Sequence, residues 1–248
     1  MTLREQLAES GQALFRRRSW LPVLVLGVVP AVFFDFDYPF RRHDAQEVWT
    51  FLCIAVAVVG QLLRFVTIAH VPPKTSGRNR KAQVAEVLNT DGTYSIVRNP
   101  LYLGNCLTWL GLAAVPHSPW PWLAVALTFW VYHERVILAE EAFLESKFGD
   151  EFREWATRTP AFIPNPRLWR SPELGYSFKT ALGREYVNLF AVFSGFAAFD
   201  AIADSAAEHY IHIDRNWAIA WILAFATFVI LRVLKKCTRV FCVAGREW

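Results

Sequence analysis

Apolar stretches separated by charged segments constrain this chain before any motif does. They cover residues 20–36, 48–68, 101–115, 120–136, 186–203 and 217–234. A straight helix needs roughly 20 apolar residues to cross the hydrocarbon core. Backbone polar groups have no water to bond there, so such segments must be helical. Charged residues make up 19% of the 248 positions, below the roughly 25% of soluble domains. The expected fold is all-α: a polytopic membrane helix bundle of about six spans.

Residues 1–19 set Leu3, Leu7, Leu14 and Phe15 against Arg4, Glu5 and the run Arg16, Arg17, Arg18. This pattern predicts an amphipathic helix lying on the membrane surface. The first span carries Pro22 and Pro30, which predict a kink. Segments 101–115 and 120–136 read as a helical hairpin joined by the proline-rich 116–121. No Gly or Pro interrupts residues 122–147. The second arm should therefore continue unbroken past Glu134, Glu140 and Glu141 to about Phe148. Three parts follow: the interfacial helix 1–19, a membrane core 20–165, and a region 166–248 holding a connector, two additional spans and a basic tail.

Excess Lys and Arg mark cytoplasmic segments. Arg16 to Arg18, the 70–100 loop, the 149–185 segment and the tail are basic. Only Arg41, Arg42 and Arg215 are basic on the other side. Six spans then place both termini in the cytoplasm, in a multi-pass protein expected in a bacterial inner membrane. The net charge of +4 reflects this orientation rather than a nucleic-acid partner. Cys53, Cys106, Cys237 and Cys242 form no CxxC pair, so no zinc site is expected. His209, His212 and Asp214 resemble a metal trio only loosely, and no metal is expected. No cleavable leader is evident at the start. Trp130 and Tyr132 read as interfacial anchors.

The chemistry-bearing residues cluster in the cytoplasmic segments. Gly92, Tyr94, Arg98, Asn99, Pro100, Tyr102 and Gly104 form one block. Glu140 and Glu141 follow, then Phe148 and Gly149, then Phe162 and Pro164. Pro100 suits the first turn of a helix, and the acidic pair stands where a helix leaves the membrane. Over residues 50–165 these blocks resemble the isoprenylcysteine carboxyl methyltransferase and phospholipid methyltransferase superfamily of integral membrane enzymes. That pattern is close to G-x-Y-x-x-x-R-H-P-x-Y-x-G, then E-E, then F-G-x-x-Y-x-x-Y and F-x-P. Asn99 stands in place of the usual His, and Phe152 and Trp155 in place of two Tyr. An Asn cannot take a proton at neutral pH, so the role of that position here is holding rather than proton transfer.

The resemblance implies S-adenosylmethionine as methyl donor and S-adenosylhomocysteine as product. An acidic pair suits the cofactor ammonium, an Arg its carboxylate, and aromatic rings its adenine or sulfonium. Tyr94, Arg98, Asn99, Pro100, Tyr102, Gly104, Glu140 and Glu141 are the expected cofactor residues, with Gly104 allowing close backbone approach. Arg135 and Asn99 are the expected catalytic residues. A basic, hydroxyl-rich run containing His70, Lys74, Ser76, Arg78 and Asn79, with Arg64 nearby, suits a lipid headgroup. The expected acceptor is an anionic headgroup oxygen such as the phosphate methylated by a lipid A relative. Prenylcysteine carboxylate and phosphatidylethanolamine nitrogen are the alternatives. Two rival classes are a transporter using the intramembrane Asp200 and Asp204 and a nicotinamide-dependent membrane reductase. The expected partners are a membrane lipid substrate and the bilayer; the sequence leaves the oligomeric state open.

Overall fold

The computed structural model describes residues 3–17, 27, 31–33, 36–72, 75 and 85–246. Among them are eight helices: α1 (Leu3–Arg17), α2 (His43–His70), α3 (Thr93–Ile96), α4 (Pro100–Ala114), α5 (Pro119–Phe148), α6 (Asp150–Arg158), α7 (Phe178–Glu208) and α8 (Arg215–Cys237). The described residues contain no strand, only an isolated antiparallel bridge between Gly92 and Arg170. The all-α expectation is met.

Helices α2, α5, α7 and α8 are long and apolar enough to cross a membrane. Helix α4 has 15 residues, about 22 Å at 1.5 Å per residue, which is short of a roughly 30 Å hydrocarbon core. Most of the expected first span, 20–36, lies outside the described residues, as do Arg18, Lys74, Ser76, Arg78 and Asn79. The described helices thus supply four full-length spans where the sequence suggested six. Helix α5 runs unbroken from Pro119 to Phe148, as the absence of internal helix breakers required.

Helices α2 and α4 meet along a seam of small residues. A Cβ on Gly60 would lie 2.5 Å from the Gly104 carbonyl oxygen, and one on Gly111 would lie 2.6 Å from that of Cys53. Only backbones without side chains approach so closely, the usual device where helices pack within lipid. Leu112, Ala113 and Val115 from this seam join Cys53, Ala57, Val125, Phe196, Phe199 and Ala203 in one buried cluster. Helix α8 touches this cluster through the partly buried Trp217, stacks on α7 through Phe190 and Phe228 at 4.7 Å, and fully buries none of its residues. Its remaining surface is suited to lipid.

Helix α1 packs along α5. A Cβ on Gly11 would lie 2.0 Å from the Arg135 carbonyl oxygen, and Phe15 is buried with Tyr132 and Val136. The Tyr132 hydroxyl donates to the Leu14 carbonyl at 2.7 Å. Tyr132 is therefore no interfacial anchor, because α1 covers it. Trp130 is exposed, with its ring edge-on to Phe162 at 6.1 Å.

Candidate functional site

The Arg98 block is held by a second chain segment rather than by its own helices. Gly92 takes φ +53°, ψ −130° at the start of α3, a conformation that disfavours any side chain. Its N–H donates to the Arg170 carbonyl, and the Asn165 N–H donates to the Ile96 carbonyl at 2.9 Å. The Arg98 N–H donates to the Pro160 carbonyl at 2.9 Å. The Asn99 side chain donates to the Ala161 carbonyl at 3.0 Å. Turn 159–165 is thereby fastened to the loop leading into α4. Because the Asn99 amide is committed to this turn, α4 begins without a side-chain cap, leaving the positive end of its dipole at the site.

The guanidinium of Arg98 gathers three acceptors. Its Nε donates to Glu141 Oε1 at 2.9 Å. Its Nη1 donates to the carbonyl oxygens of Ala156 at 2.5 Å and Thr159 at 3.2 Å. The two side chains are only 17% and 13% exposed. Adjacent helical residues point about 100° apart, so Glu140 faces a different partner. It accepts from the Tyr102 hydroxyl at 2.9 Å. The sequence's two motifs, 98–102 and 140–141, therefore meet side chain to side chain.

Helix α6 closes the other flank. Gly149, at φ +56°, ends α5 and caps α6, which turns the chain back so that Phe152 and Trp155 bury against Leu88. The Trp155 indole donates to the Tyr94 carbonyl at 3.2 Å. Phe152 and Trp155, the departures from the usual Tyr pair, thus act here as core. Tyr94 packs on the same cluster. Its hydroxyl is held well above the usual phenol range by burial and then by the Glu140 charge, with Arg184 and Arg64 opposing. Tyr94 therefore lies within electrostatic reach of charges from α2, α5 and α7.

A second polar cluster joins those helices inside the bundle. Arg64 on α2 forks onto Glu185 of α7, with both N···O distances 2.9 Å. It also donates to Asn105 Oδ1 at 2.7 Å on α4. Asn188 donates to Gln61 at 2.9 Å, and Gln61 donates to Thr108 at 2.8 Å. An Arg in a span needs such a partner.

The structure brings together Tyr94, Arg98, Asn99, Pro100, Tyr102, Glu140 and Glu141. Gly104 faces α2, with a Cβ there 2.5 Å from Arg64 Cγ, so the close approach it permits is between helices rather than toward the acidic pair. Arg135 is not brought to the cluster. It precedes Glu140 and Glu141 by five and six residues, which places it roughly 140° and 120° around the helix from them. His70 contacts Tyr176 edge-on at 5.4 Å, and its Nδ1 pairs with the Val66 carbonyl. Asp204 sits toward the opposite end of α7, accepting from Tyr38 at 3.2 Å and lying 3.6 Å from His43. Sequence reasoning missed Arg184, Glu185, Asn105 and Asn188. The available signal was the adjacent charge pair Arg184–Glu185 at the start of an apolar run, at the same end of its span as Arg64.

Residues 48–151 match the phospholipid methyltransferase family. The chain is 40% identical over 119 residues to the cobalt-zinc-cadmium resistance protein CzcN of Cupriavidus metallidurans, covering 48% of this chain and 49% of that protein. It is 35% identical over 122 residues to the nickel-cobalt-cadmium resistance protein NccN of Alcaligenes xylosoxydans xylosoxydans, covering 49% and 56%. It is 31% identical over 119 residues to the protein-S-isoprenylcysteine O-methyltransferase of Schizosaccharomyces pombe, covering 46% and 47%. The chain thus spans about half the length of these curated relatives. No solved structure matches it. The segment that matches the phospholipid methyltransferase family contains α4, α5, Arg98 and both acidic residues.

Proposed function

We propose that this protein transfers a methyl group from S-adenosylmethionine to a membrane-embedded, lipid-like acceptor at its cytoplasmic face. The observation that carries the reading is the pairing of Arg98 with Glu141 beside Tyr102 with Glu140. The donor set fits the cofactor chemically. A carboxylate pair suits the ammonium, a guanidinium and the uncapped start of α4 suit the carboxylate, and Tyr94 and Tyr102 offer faces to the sulfonium or adenine. When bound, the cofactor supplies an electrophilic methyl group on a positively charged sulfur.

The protein's own tasks are to hold and to exclude water. Arg98 and Glu141 exchange their mutual pair for ligand contacts while Ala156 and Thr159 keep the guanidinium aimed. Glu140 is oriented by the Tyr102 hydroxyl. Asn99 keeps turn 159–165 closed over the site and takes no proton. Alignment of donor and acceptor and removal of water contribute the rate. The basic run of sequence with Lys74, Ser76, Arg78 and Asn79 precedes the Arg98 block and supplies cations and hydroxyls suited to a headgroup. Both termini are then cytoplasmic, and α1 lies at that interface against α5.

Two relatives carry names that speak of metal resistance. Among the described residues no group of three or more His, Cys, Asp or Glu side chains is placed to hold a metal ion. Purified protein would be titrated with S-adenosylmethionine, S-adenosylhomocysteine and NADPH, then supplied with labelled S-adenosylmethionine and extracted lipids. Binding of both sulfur compounds and label in the lipid fraction are expected. Binding of NADPH alone would replace this reading with the reductase class.

A further inference from the structure

The matched family segment ends at residue 151, yet a helix beyond it enters the polar interior of the bundle. Gln61 and Arg64 on α2, Asn105 and Thr108 on α4, and Glu185 and Asn188 on α7 are each a pair three positions apart. Residues at that spacing share a helix face, so the six stack in two layers. In one layer Arg64 forks onto Glu185, with both N···O distances 2.9 Å. Its Nη1 donates to Asn105 Oδ1 at 2.7 Å and to the Leu101 carbonyl at 3.4 Å. In the other layer Asn188 donates to Gln61, Gln61 to Thr108, and Thr108 to the Gly104 carbonyl at 2.9 Å. Asn188 also donates to Glu185 Oε2 at 3.3 Å, which ties the layers together. Gln61, Thr108 and Glu185 are buried. A slip of α7 by one turn would leave a guanidinium and two amides without partners where no water replaces them. The network therefore selects one height of α7 against α2 and α4.

This lock ends on the turn that carries Tyr102. The start of α4 has little local support: Pro100 has no N–H, the Asn99 amide is committed to the Ala161 carbonyl, and no side chain caps the helix. Tertiary partners must place it. On one flank Arg64 takes hold of Leu101 and Asn105, and Leu101 packs on Ile68, Ala69 and Ala181 of α2 and α7. Tyr102 follows about 100° further round the helix and meets Glu140 on the other flank at 2.9 Å.

We propose that Glu185, supplied by a helix outside the matched family segment, is a positioning residue for the candidate site. Through Arg64 it fixes the first turn of α4 and so holds Tyr102 against Glu140. Its effect on cofactor binding rests on the methyltransferase reading. Glu185 touches no ligand in this account. In the same account Arg64 fastens helices instead of gripping a headgroup, and α7 is a working part of the site rather than an appended span.

A double-mutant cycle tests the route through Tyr102. S-adenosylhomocysteine affinity would be measured for Glu185→Gln and Glu185→Asp, each with Tyr102 present and in a Tyr102→Phe background. Glu185→Gln should weaken binding roughly three- to tenfold with Tyr102 present, the scale of one hydrogen bond, and Glu185→Asp should recover part of it. Once Tyr102→Phe has removed the bond to Glu140, the same Glu185→Gln change should weaken binding by less than about twofold. A merely structural role would instead give the same loss in both backgrounds, and that result, or unchanged affinity in Glu185→Gln, overturns the inference. A second measurement needs no cofactor. In full-length protein labelled with fluorotyrosine, the fluorine resonance missing from Tyr102→Phe belongs to Tyr102. It should move in Glu185→Gln and return toward its wild-type position in Glu185→Asp; an unmoved resonance overturns the inference. Failure of wild type to bind S-adenosylhomocysteine overturns the methyltransferase reading, while the fluorine spectra still decide the positioning role. If Glu185→Gln does not fold, the pair Arg64→Met with Glu185→Leu, which leaves no lone buried charge, carries both measurements with the same expected outcomes.

Discussion

Arg98 and Glu141 are 43 positions apart in sequence and 2.9 Å apart in space. Their contact joins the loop before α4 to the end of α5. It also relies on turn 156–161, because the same guanidinium bonds the carbonyls of Ala156 and Thr159. Three separate stretches of chain are thus registered by one side chain.

Removing that side chain should be costly in two ways. Arg98→Ala leaves a largely buried Glu141 without its partner, a change of roughly 3–5 kcal/mol. Arg98→Lys keeps the charge but loses the fork, and should fold with weaker cofactor binding. Thermal unfolding in detergent with and without S-adenosylhomocysteine separates the two. Ligand protection equal to wild type in Arg98→Lys would count against a binding role.

Trp155→Phe tests the α6 clamp. It keeps an aromatic ring in the Leu88 and Phe152 cluster but loses the bond to the Tyr94 carbonyl and part of the indole's volume. The expected cost is about 1–2 kcal/mol, read as a lower unfolding midpoint. Trp155→Ala should cost roughly 3–5 kcal/mol. Equal costs for the two would show that packing contributes little there.

The α2–α4 seam should reject even a methyl group. Gly60→Ala and Gly111→Ala press a Cβ onto opposing carbonyls, and should each cost about 1–3 kcal/mol. Gly149→Ala meets no neighbour but is strained at φ +56°. It should destabilise through backbone conformation alone. Unfolding midpoints of the three variants check this, and a neutral Gly60→Ala would place the helices farther apart than described.

Tyr94 sets an alkaline signature. Its pKa is raised in the folded protein by burial and Glu140, so the native state holds this proton more tightly than the unfolded chain does. The associated stability is intact below the ordinary phenol value of about 10 and is lost as pH climbs from there through the raised value. Tyr94→Phe should therefore lose less stability than wild type between about pH 10 and 11. Parallel unfolding curves for the two proteins over that range would contradict the burial of this hydroxyl.

Particular residues show why some of this was legible in sequence and some was not. Helix α5 was readable to its end because nothing between 122 and 147 breaks a helix. The membership of Arg98, Tyr102, Glu140 and Glu141 in one site was readable because their spacing resembles a known pattern, but their pairing with one another was not. Local pattern carries no information about a partner 121 positions away, which is the distance from Arg64 to Glu185. Helices α2 and α7 begin at His43 and Phe178, ahead of their apolar cores, because polar residues continue a helix once it has left the bilayer. Gly104 read as room for a ligand, and the room is taken by α2. The polar face of α1 was visible, but its docking on α5 through Gly11 depends on a backbone approach that hydropathy does not report.

In the function proposed above, the Arg98, Tyr102, Glu140 and Glu141 cluster holds S-adenosylmethionine. Calorimetric titration of purified protein with S-adenosylhomocysteine, in wild type, Glu140→Gln and Glu141→Gln, tests it most directly. Binding in wild type should weaken roughly tenfold or more in each variant, the loss of a charge-assisted hydrogen bond. Absent binding in wild type, or equal affinity in all three proteins, would contradict the account.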